Sequence, residues 1–367
     1  MRTVKKPYPS FHAEHVGSFV LPPRLKQARL AWRQGLLTRS QLTEIENEEV
    51  LNVVEHQKAC GLHAITDGEL RVRNGISDFF SCLTGIEVDE TVSSGGDMPP
   101  HPLQVVGKLD FDDSHPFLTH YRFLHQAVGE DGENLAKQTL PSPNMLMYPA
   151  IRTNEVYPSL DAFCDDLAAV YRKIIQAFYR QGCRYIQLDD LFWARLCDSQ
   201  MMAREQAAGF ELSALLERCT RTLNQALAQR PQDMFISLHM CCRRFSPNWV
   251  HGRGREVIGH AMANLSVDSL FIEYDDRRPV GLEPLRQVSC QKVVLGVIDS
   301  HSAELDAPQS VRMAINTASL YVPLQQLAIS PKCGFGHCEQ YGITEEQQWA
   351  KLRHMVNIAH NVWTMPE

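Results

Sequence analysis

Residues 159–190 read SLDAFCDDLAAVYRKIIQAFYRQGCRYIQLDD, a stretch that joins two different hydrophobic periodicities. Its first part, 159–181, has the helical spacing of apolar residues, which predicts an amphipathic helix. Those positions are Leu160, Phe163, Leu167, Val170, Ile174, Ile175 and Phe178. Its last part, 185–190, is a short apolar run ending in two carboxylates, which predicts a buried strand. A helix that leads into a buried strand is the repeating unit of an α/β fold.

The same kind of short apolar run, with a polar or glycine tip, recurs along the chain. The other runs are 15–18, 64–69, 144–148, 235–241, 270–275, 293–299 and 327–333. Most gaps between them have helical periodicity, as at 205–230 and 308–320. Eight alternating units favour an α/β fold of the (β/α)8 TIM-barrel type, and a doubly wound open sheet is the alternative.

One segment, at about 85–121, interrupts this alternation. It holds Gly95-Gly96 and Pro99-Pro100, followed by a β-like run, which predicts a loop and a β-hairpin inserted after the second strand. Apart from this insertion, we expect residues 1–367 to form a single catalytic barrel domain.

Composition excludes several classes of partner. The formal net charge is -7, whereas nucleic-acid-binding proteins usually carry a basic face. No apolar run approaches the ~20 residues of a membrane span, and residues 1–10 lack the apolar core of a secretory signal. The 11 cysteines are irregularly spaced, which indicates reduced thiols. We therefore expect a cytoplasmic protein with small-molecule partners, no nucleic acid and no membrane, and a possible homo-oligomer.

Metal-ligating residue types follow several of the predicted strands, where the reactive residues of parallel barrels lie. His239 and Cys241 are two positions apart, so both side chains can point to the same side of a strand. Glu273 and Cys333 close two further strands. Zn²⁺ is bound by four such ligands, and thiolates favour it over magnesium or calcium. The alternative is a histidine and a cysteine that pack beneath the barrel rim.

Seven motifs follow one another along the chain in a specific order. They are His15-Val16-Gly17-Ser18, Asp67-Gly68-Glu69, Leu188-Asp189, His239-x-Cys241, Glu273, Asp299-Ser300-His301 and Ser330-Pro331-x-Cys333-Gly334. In this order the chain resembles the cobalamin-independent methionine synthase family, in particular the short forms that keep the catalytic C-terminal barrel. The resemblance runs from His12 to about Trp363.

The resemblance implies one zinc per chain and methyl transfer to the thiol of homocysteine. Its zinc ligands correspond to His239, Cys241, Glu273 and Cys333. The homocysteine carboxylate would bind at Gly17 and Ser18, and its amino group at Glu69 and Asp189. His301, next to Asp299, would supply a proton to the methyl donor, which is a suitable role for an imidazole near neutral pH.

Two departures from the family pattern concern the methyl donor. Asp190-Leu191 follows Asp189 where the family has Glu-Pro, and Tyr148 is the nearest match to a tryptophan that stacks on the folate ring. A methylated folate is the expected donor, with methylcobalamin on a carrier protein or another small donor as alternatives. An alkyltransferase for another thiol and a non-catalytic zinc-binding barrel are the competing functions.

Overall fold

The computed structural model describes residues 11–73, 75–88, 103–130, 132–147, 155–240, 253–273, 282–336 and 341–364. Within these ranges the strands are β1 Ala64–Ile65, β2 Thr84–Val88, β3 Leu103–Asp110, β4 Leu135–Pro141, β5 Tyr185–Asp190, β6 Phe235–Met240, β7 Ser269–Glu273, β8 Lys292–Ile298 and β9 Leu327–Pro331.

Seven of these strands form one parallel sheet in the order β1-β4-β5-β6-β7-β8-β9. Each strand pairs with the next one in the chain, so the order never reverses. A doubly wound sheet reverses at a switch point, whereas sequential order is the order of a barrel. The predicted α/β barrel is therefore confirmed, and the open-sheet alternative is wrong.

The segment that precedes Gly17 occupies the remaining position of the barrel. Ala13 forms a parallel bridge with Ile329, and Glu14 donates its backbone N–H to the Ile329 carbonyl at 2.9 Å. On the other side, the Thr66 hydroxyl donates to the Gly17 carbonyl at 3.1 Å. The start of the described chain thus lies between the two edge strands, β9 and β1.

Helices cover the outside of the sheet and bury their apolar faces against it. Their bounds are α1 Pro23–Arg33, α2 Arg39–Ala59, α3 Ser77–Phe80, α4 Pro116–Val128, α5 Leu160–Arg180, α6 Phe192–Cys197, α7 Ser199–Ala207, α8 Leu212–Leu227, α9 Arg253–Asn264, α10 Pro308–Ser319 and α11 Glu345–Trp363. Among the described residues, no helix combines the length and the hydropathy that a bilayer crossing requires.

The predicted helices at 159–181 and 308–320 are confirmed by α5 and α10. Ser159 caps α5 by accepting the Ala162 N–H at 3.1 Å. The helix predicted at 205–230 is confirmed over 212–227 by α8, but its first residues, 205–207, belong to the end of the separate helix α7. Phe210 N–H closes the end of α7 by donating to the Glu205 carbonyl at 3.0 Å, a bond that terminates helices.

The insertion contains the predicted hairpin, in which β2 and β3 pair antiparallel. Its tip, 89–102, lies outside the described residues. The strand predicted at 144–148 is wrong, because the third barrel strand is β4, and Pro143–Leu146 form a 3-10 turn capped by Ser142. Lys137 and Thr139 of β4 face the barrel interior, so the search for apolar runs missed this strand.

A charged cluster, which we call the buried cluster, lies in the barrel interior near the start of the strands. The Lys137 ammonium donates to the His15 carbonyl at 2.8 Å and lies 3.7 Å from the Glu14 carboxylate. Tyr185 donates its hydroxyl to Glu14 at 2.6 Å, and Lys292 lies 3.9 Å from the same carboxylate. Glu14 and Lys137 are fully buried, and each has a group of opposite charge within 4 Å.

Candidate active site at the carboxyl ends of the strands

Two of the predicted site residues, Asp189 and His239, are partners across β5 and β6. Their Cα atoms are in register, and His239 Nδ1 lies 2.9 Å from Asp189 Oδ1. A carboxylate oxygen only accepts, so Nδ1 carries the proton and Nε2 presents a lone pair. That Nε2 is buried and has no hydrogen-bond partner among the described residues. A histidine held in this way has the geometry of a metal ligand with a carboxylate behind it.

The charges around His239 indicate which other side chains are close to it. Burial alone would lower the pKa of His239, but the hydrogen bond and charge of Asp189 raise it above its ordinary value. Negative charge on Cys333 and Glu273 contributes in the same direction. Two further predicted zinc ligands are thus within electrostatic range of the imidazole.

The donor set near His239 fits zinc, although it is described only in part. Cys241, the fourth predicted ligand, and Tyr148 lie outside the described residues. Within the described ranges, no three His, Cys, Asp or Glu side chains are grouped tightly enough to hold a metal. The buried, unpartnered Nε2 of His239 and the thiol of Cys333 are nevertheless the donor types that a zinc site requires.

Glu69 lies directly beyond β1 and is close to Asp189. It is the sole non-glycine residue with a positive φ, 57°, in the described part of the chain. Burial, and then the negative charges of Asp189 and Asp67, raise the pKa of Glu69 well above its ordinary value. The two carboxylates are therefore within electrostatic range of each other, an arrangement that a nearby positive charge would stabilise.

Gly17 has no side chain because Glu69 occupies the space beside it. A Cβ built on Gly17 would lie 2.6 Å from Glu69 Oε1 and 2.9 Å from Thr139 Cγ2. The next residue, Ser18, accepts the Gly336 N–H at 3.3 Å and packs against Gly334. The first loop of the barrel therefore contacts both Glu69 and the turn that follows Cys333.

His301 and Asp299 form a second pair, in the loop after β8. His301 Nδ1 lies 3.6 Å from Asp299 Oδ1, and the His301 backbone N–H donates to the same oxygen at 2.8 Å. These contacts of His301 hold the pKa of Asp299 well below its usual range. His301 Nε2 is buried and unpartnered among the described residues, and the ring edge of Tyr341 lies against the imidazole.

Several residues at the site were not predicted from the sequence. Gln187 donates to the Val16 carbonyl and, at 2.8 Å, to Asp189 Oδ1. Asp190 points to the opposite face of β5, where it accepts from Ser142 at 2.6 Å and Asn144 at 2.9 Å. Strand alternation signals that Asp189 and Asp190 face opposite sides, which assigns Asp190 a structural role.

Comparison with known proteins shows the family to which this chain belongs. A model of the catalytic domain of cobalamin-independent synthase matches residues 11–361. The uncharacterized protein YxjH of Bacillus subtilis is 38% identical over 370 residues, which cover 99% of this chain and 97% of that protein.

Two solved structures have the same fold over nearly their whole length. A candidate vitamin-B12-independent methionine synthase of Listeria monocytogenes is 37% identical, with a TM-score of 0.78, and the match covers 97% of this chain and 98% of that one. The B12-independent methionine synthase of Shewanella sp. W3-18-1, in complex with selenomethionine, has a TM-score of 0.71 at 16% identity, covering 96% and 97%. This chain therefore belongs to the cobalamin-independent synthase family, as a member of its catalytic-domain group.

Proposed function

We propose that this protein is a zinc-dependent methyltransferase that methylates the thiol of homocysteine to give methionine. The observation that carries the proposal is the pair of Asp189 and His239, which leaves a buried Nε2 available at the site. Family membership supports methyl transfer as the reaction class. The proposed zinc ligands are His239, Cys241, Glu273 and Cys333.

The amino-acid part of homocysteine would bind between the first loop and two carboxylates. Asp189 and Glu69 are the two carboxylates available to an α-ammonium group, whose positive charge would favour the ionised form of Glu69. Gly17 and Ser18 lie beside Glu69, where a backbone N–H and a hydroxyl can bind the α-carboxylate. This arrangement favours homocysteine over a thiol without an amino group, such as the substrate of an alkyltransferase for another thiol.

Zinc, when bound, would lower the pKa of the substrate thiol, so that its sulfur can act as a nucleophile at neutral pH. Side chains of the protein would then act on the methyl donor. His301 is positioned by Asp299 and can deliver a proton to the leaving group, since its Nε2 is not engaged elsewhere among the described residues.

A methylated folate is the proposed donor, with Tyr148 as the aromatic side chain that stacks on it. The alternative donors, methylcobalamin on a carrier protein and other small methyl compounds, are distinguished by assay. The proposed location is the cytoplasm, because 11 irregularly spaced cysteines suit a reducing compartment. A barrel that binds zinc without turnover would bind homocysteine and produce no methionine with any donor.

The first test measures zinc content and methionine formation in the purified protein. We expect about one zinc per chain and methyl transfer to homocysteine from at least one donor of a panel. Cys333→Ser should lose most of the zinc and the activity. Cys219→Ser, a buried cysteine on the outer helix α8, is the matched control and should retain both. Full zinc retention in Cys333→Ser would contradict the ligand assignment.

The second test concerns proton delivery by His301. His301→Asn should slow single-turnover methyl transfer by about 10²–10⁴-fold, the usual contribution of a general acid. Zinc content and homocysteine affinity should remain near wild type. His260→Asn on helix α9, where the imidazole contacts Thr220, is the control. A single-turnover rate close to wild type in folded, zinc-loaded His301→Asn would exclude His301 from the reaction.

A further inference from the structure

We propose that Gln187 is a positioning residue that couples the amino-acid-binding loop to the metal-binding histidine. This inference rests on the proposed function, because it assigns a role to Gln187 within that site. Gln187 is fully buried on β5, two positions before Asp189, and therefore faces the same side of the strand.

The two hydrogens of the Gln187 side-chain amide go to two different parts of the site. One is donated to the backbone carbonyl of Val16, directly before Gly17 and Ser18. The other is donated to Asp189 Oδ1 at 2.8 Å. Gln187 thus connects the loop proposed to bind the α-carboxylate with the carboxylate proposed to bind the α-ammonium.

Asp189 extends this connection to the metal ligand. Its Oδ1 also accepts the proton of His239 Nδ1 at 2.9 Å, so a single oxygen receives both donors. Asp189 Oδ2 accepts no hydrogen bond from the described residues, which leaves it available for a substrate ammonium. Gln187 therefore helps to fix the rotation of the Asp189 carboxylate. Because that carboxylate holds His239 Nδ1, it also fixes the direction of His239 Nε2.

The orientation of the Gln187 amide is determined by its partners. Both neighbours, the Val16 carbonyl and Asp189 Oδ1, are acceptors, so a flipped amide would place oxygen against oxygen. Asparagine in this position would be one methylene too short to reach both acceptors. Lys137 anchors the adjacent carbonyl of His15 from the barrel interior, but it makes no contact with Asp189 as close as that of Gln187.

A rigid connection of this kind makes the two binding events energetically dependent on each other. An amino acid that orders the Val16–Ser18 loop should favour the Asp189 orientation that holds His239, and bound zinc should favour amino-acid binding in return. The effect should be present even for an amino acid that has no sulfur to contact the metal.

The experiment uses the zinc-loaded full chain and L-norleucine, an amino acid without a thiol. The measurements are the rate of zinc transfer to a chromogenic chelator and the norleucine Kd. In the wild type, saturating norleucine should slow zinc transfer. In Gln187→Met, zinc transfer should be about 10- to 100-fold faster, as for other partners of metal ligands, and norleucine should no longer slow it.

Gln138→Met is the matched control. Gln138 is a buried glutamine on the neighbouring strand β4, and its amide donates to the Thr139 carbonyl at 2.8 Å. This variant should behave like wild type in both measurements even if its thermal stability falls. If Gln187→Met does not fold, Gln187→Asn replaces it, with an expected loss of the norleucine effect.

The outcomes separate this inference from the proposed function. If the wild type retains zinc and binds norleucine, and Gln187→Met shows the same zinc transfer rate and the same norleucine effect, the coupling role of Gln187 is wrong. If the wild type itself binds neither zinc nor norleucine, the proposed function is wrong. A uniform loss of stability in both glutamine variants, with the norleucine effect retained, would reduce Gln187 to a packing residue.

Discussion

Glu69 and Asp189 are within electrostatic range of each other, and two like charges resist being ionised together. The pKa of Glu69 is raised by its burial and by this neighbour. Its backbone also adopts a left-handed conformation that is unfavourable for a residue with a side chain. Both features cost stability in the free protein, and a bound ammonium group would relieve the electrostatic part.

We therefore predict that Glu69→Gln stabilises the ligand-free protein while it impairs function. The folded state holds a proton on Glu69 that the unfolded chain releases above about pH 4.5. Stability consequently falls as pH rises above that value, until the raised folded-state pKa is passed. At neutral pH, Glu69→Gln should raise the free energy of unfolding by about 1 kcal/mol or more, measured in urea.

The same variant should bind homocysteine or norleucine at least about 10-fold more weakly, because a charged hydrogen bond is lost. Glu55→Gln on α2, at an exposed position, is the control for loss of a carboxylate. A variant that is neither more stable nor weaker in binding would show that Glu69 does not face a cation site.

At the scale of single residues, the sequence predicts site residues best where a reactive side chain stands at the end of a predicted strand. The alternation of side chains along the strand then indicates which way it points. Asp189 and His239 were identified in this way and are adjacent in the structure. Gln187 was not identified, since a glutamine inside a strand has no reactive group and its importance lies in its two acceptors. Such a role depends on contacts between distant segments, which local spacing does not encode.

At the scale of elements, the loop that carries Asp299 and His301 depends on the last helix. Lys351 of α11 is buried, and its ammonium lies 3.0 Å from Asp306 Oδ2. Asp306 Oδ1 in turn accepts the backbone N–H of Asp299 at 3.0 Å. Helix α11 thus holds the proposed proton-donating loop through this ion pair, together with contacts of Lys351 and His354 to the carbonyls of Glu304 and Asp306.

We predict that Lys351→Met destabilises the protein and slows methyl transfer together. The partly buried Asp306 carboxylate that loses this partner should cost about 1–3 kcal/mol, measurable by urea unfolding. The single-turnover rate should fall while zinc content is retained, because the loop is displaced from the donor and the metal site is not. Lys58→Met, which removes the more exposed pair with Glu55 on α2, should cost less than about 1 kcal/mol. Equal losses in the two variants would argue against the anchoring role.

The sequence predicted most elements of the barrel, because most strands are buried apolar runs. It misplaced the third strand, since β4 contains Lys137, Gln138 and Thr139 and lacks an apolar run. Lys137 is satisfied by His15 and Glu14, which lie in a distant part of the sequence. A strand of this composition is recognised only when its partners are known.

At the scale of the whole molecule, the buried cluster contains one carboxylate, Glu14, and two ammonium groups, Lys137 and Lys292. Removal of the carboxylate leaves the buried Lys137 ammonium and the partly buried Lys292 ammonium without their nearest counterion. When Lys137 is removed, Glu14 still has Lys292 as a counterion. We therefore predict that Glu14→Gln costs about 3–5 kcal/mol of unfolding free energy, and that Lys137→Met costs less. Equal costs, measured in urea at pH 7, would contradict this charge balance.

At this scale, the property best predicted from the sequence is the order of the strands in the sheet. The motifs occur in the order of the strands, and the sheet has that same sequential order. The composition of the barrel interior was not accessible, because Glu14 and Lys292 are far apart in sequence and look like surface residues when each is considered alone.

The contact between Ser18 and Gly336 joins residues that are 318 positions apart in the chain. Contacts with such large sequence separation form late, because the entropy of closing the intervening chain must be overcome first. During synthesis, the chain must emerge from the ribosome as far as Gly336 before this contact can form. A nascent chain therefore exposes the Val16–Ser18 loop for most of its translation time, without the glycine turn against which the loop packs. The site is therefore complete only after Gly336 has been synthesised. A product truncated before Gly336 lacks this contact, and we expect it to be inactive.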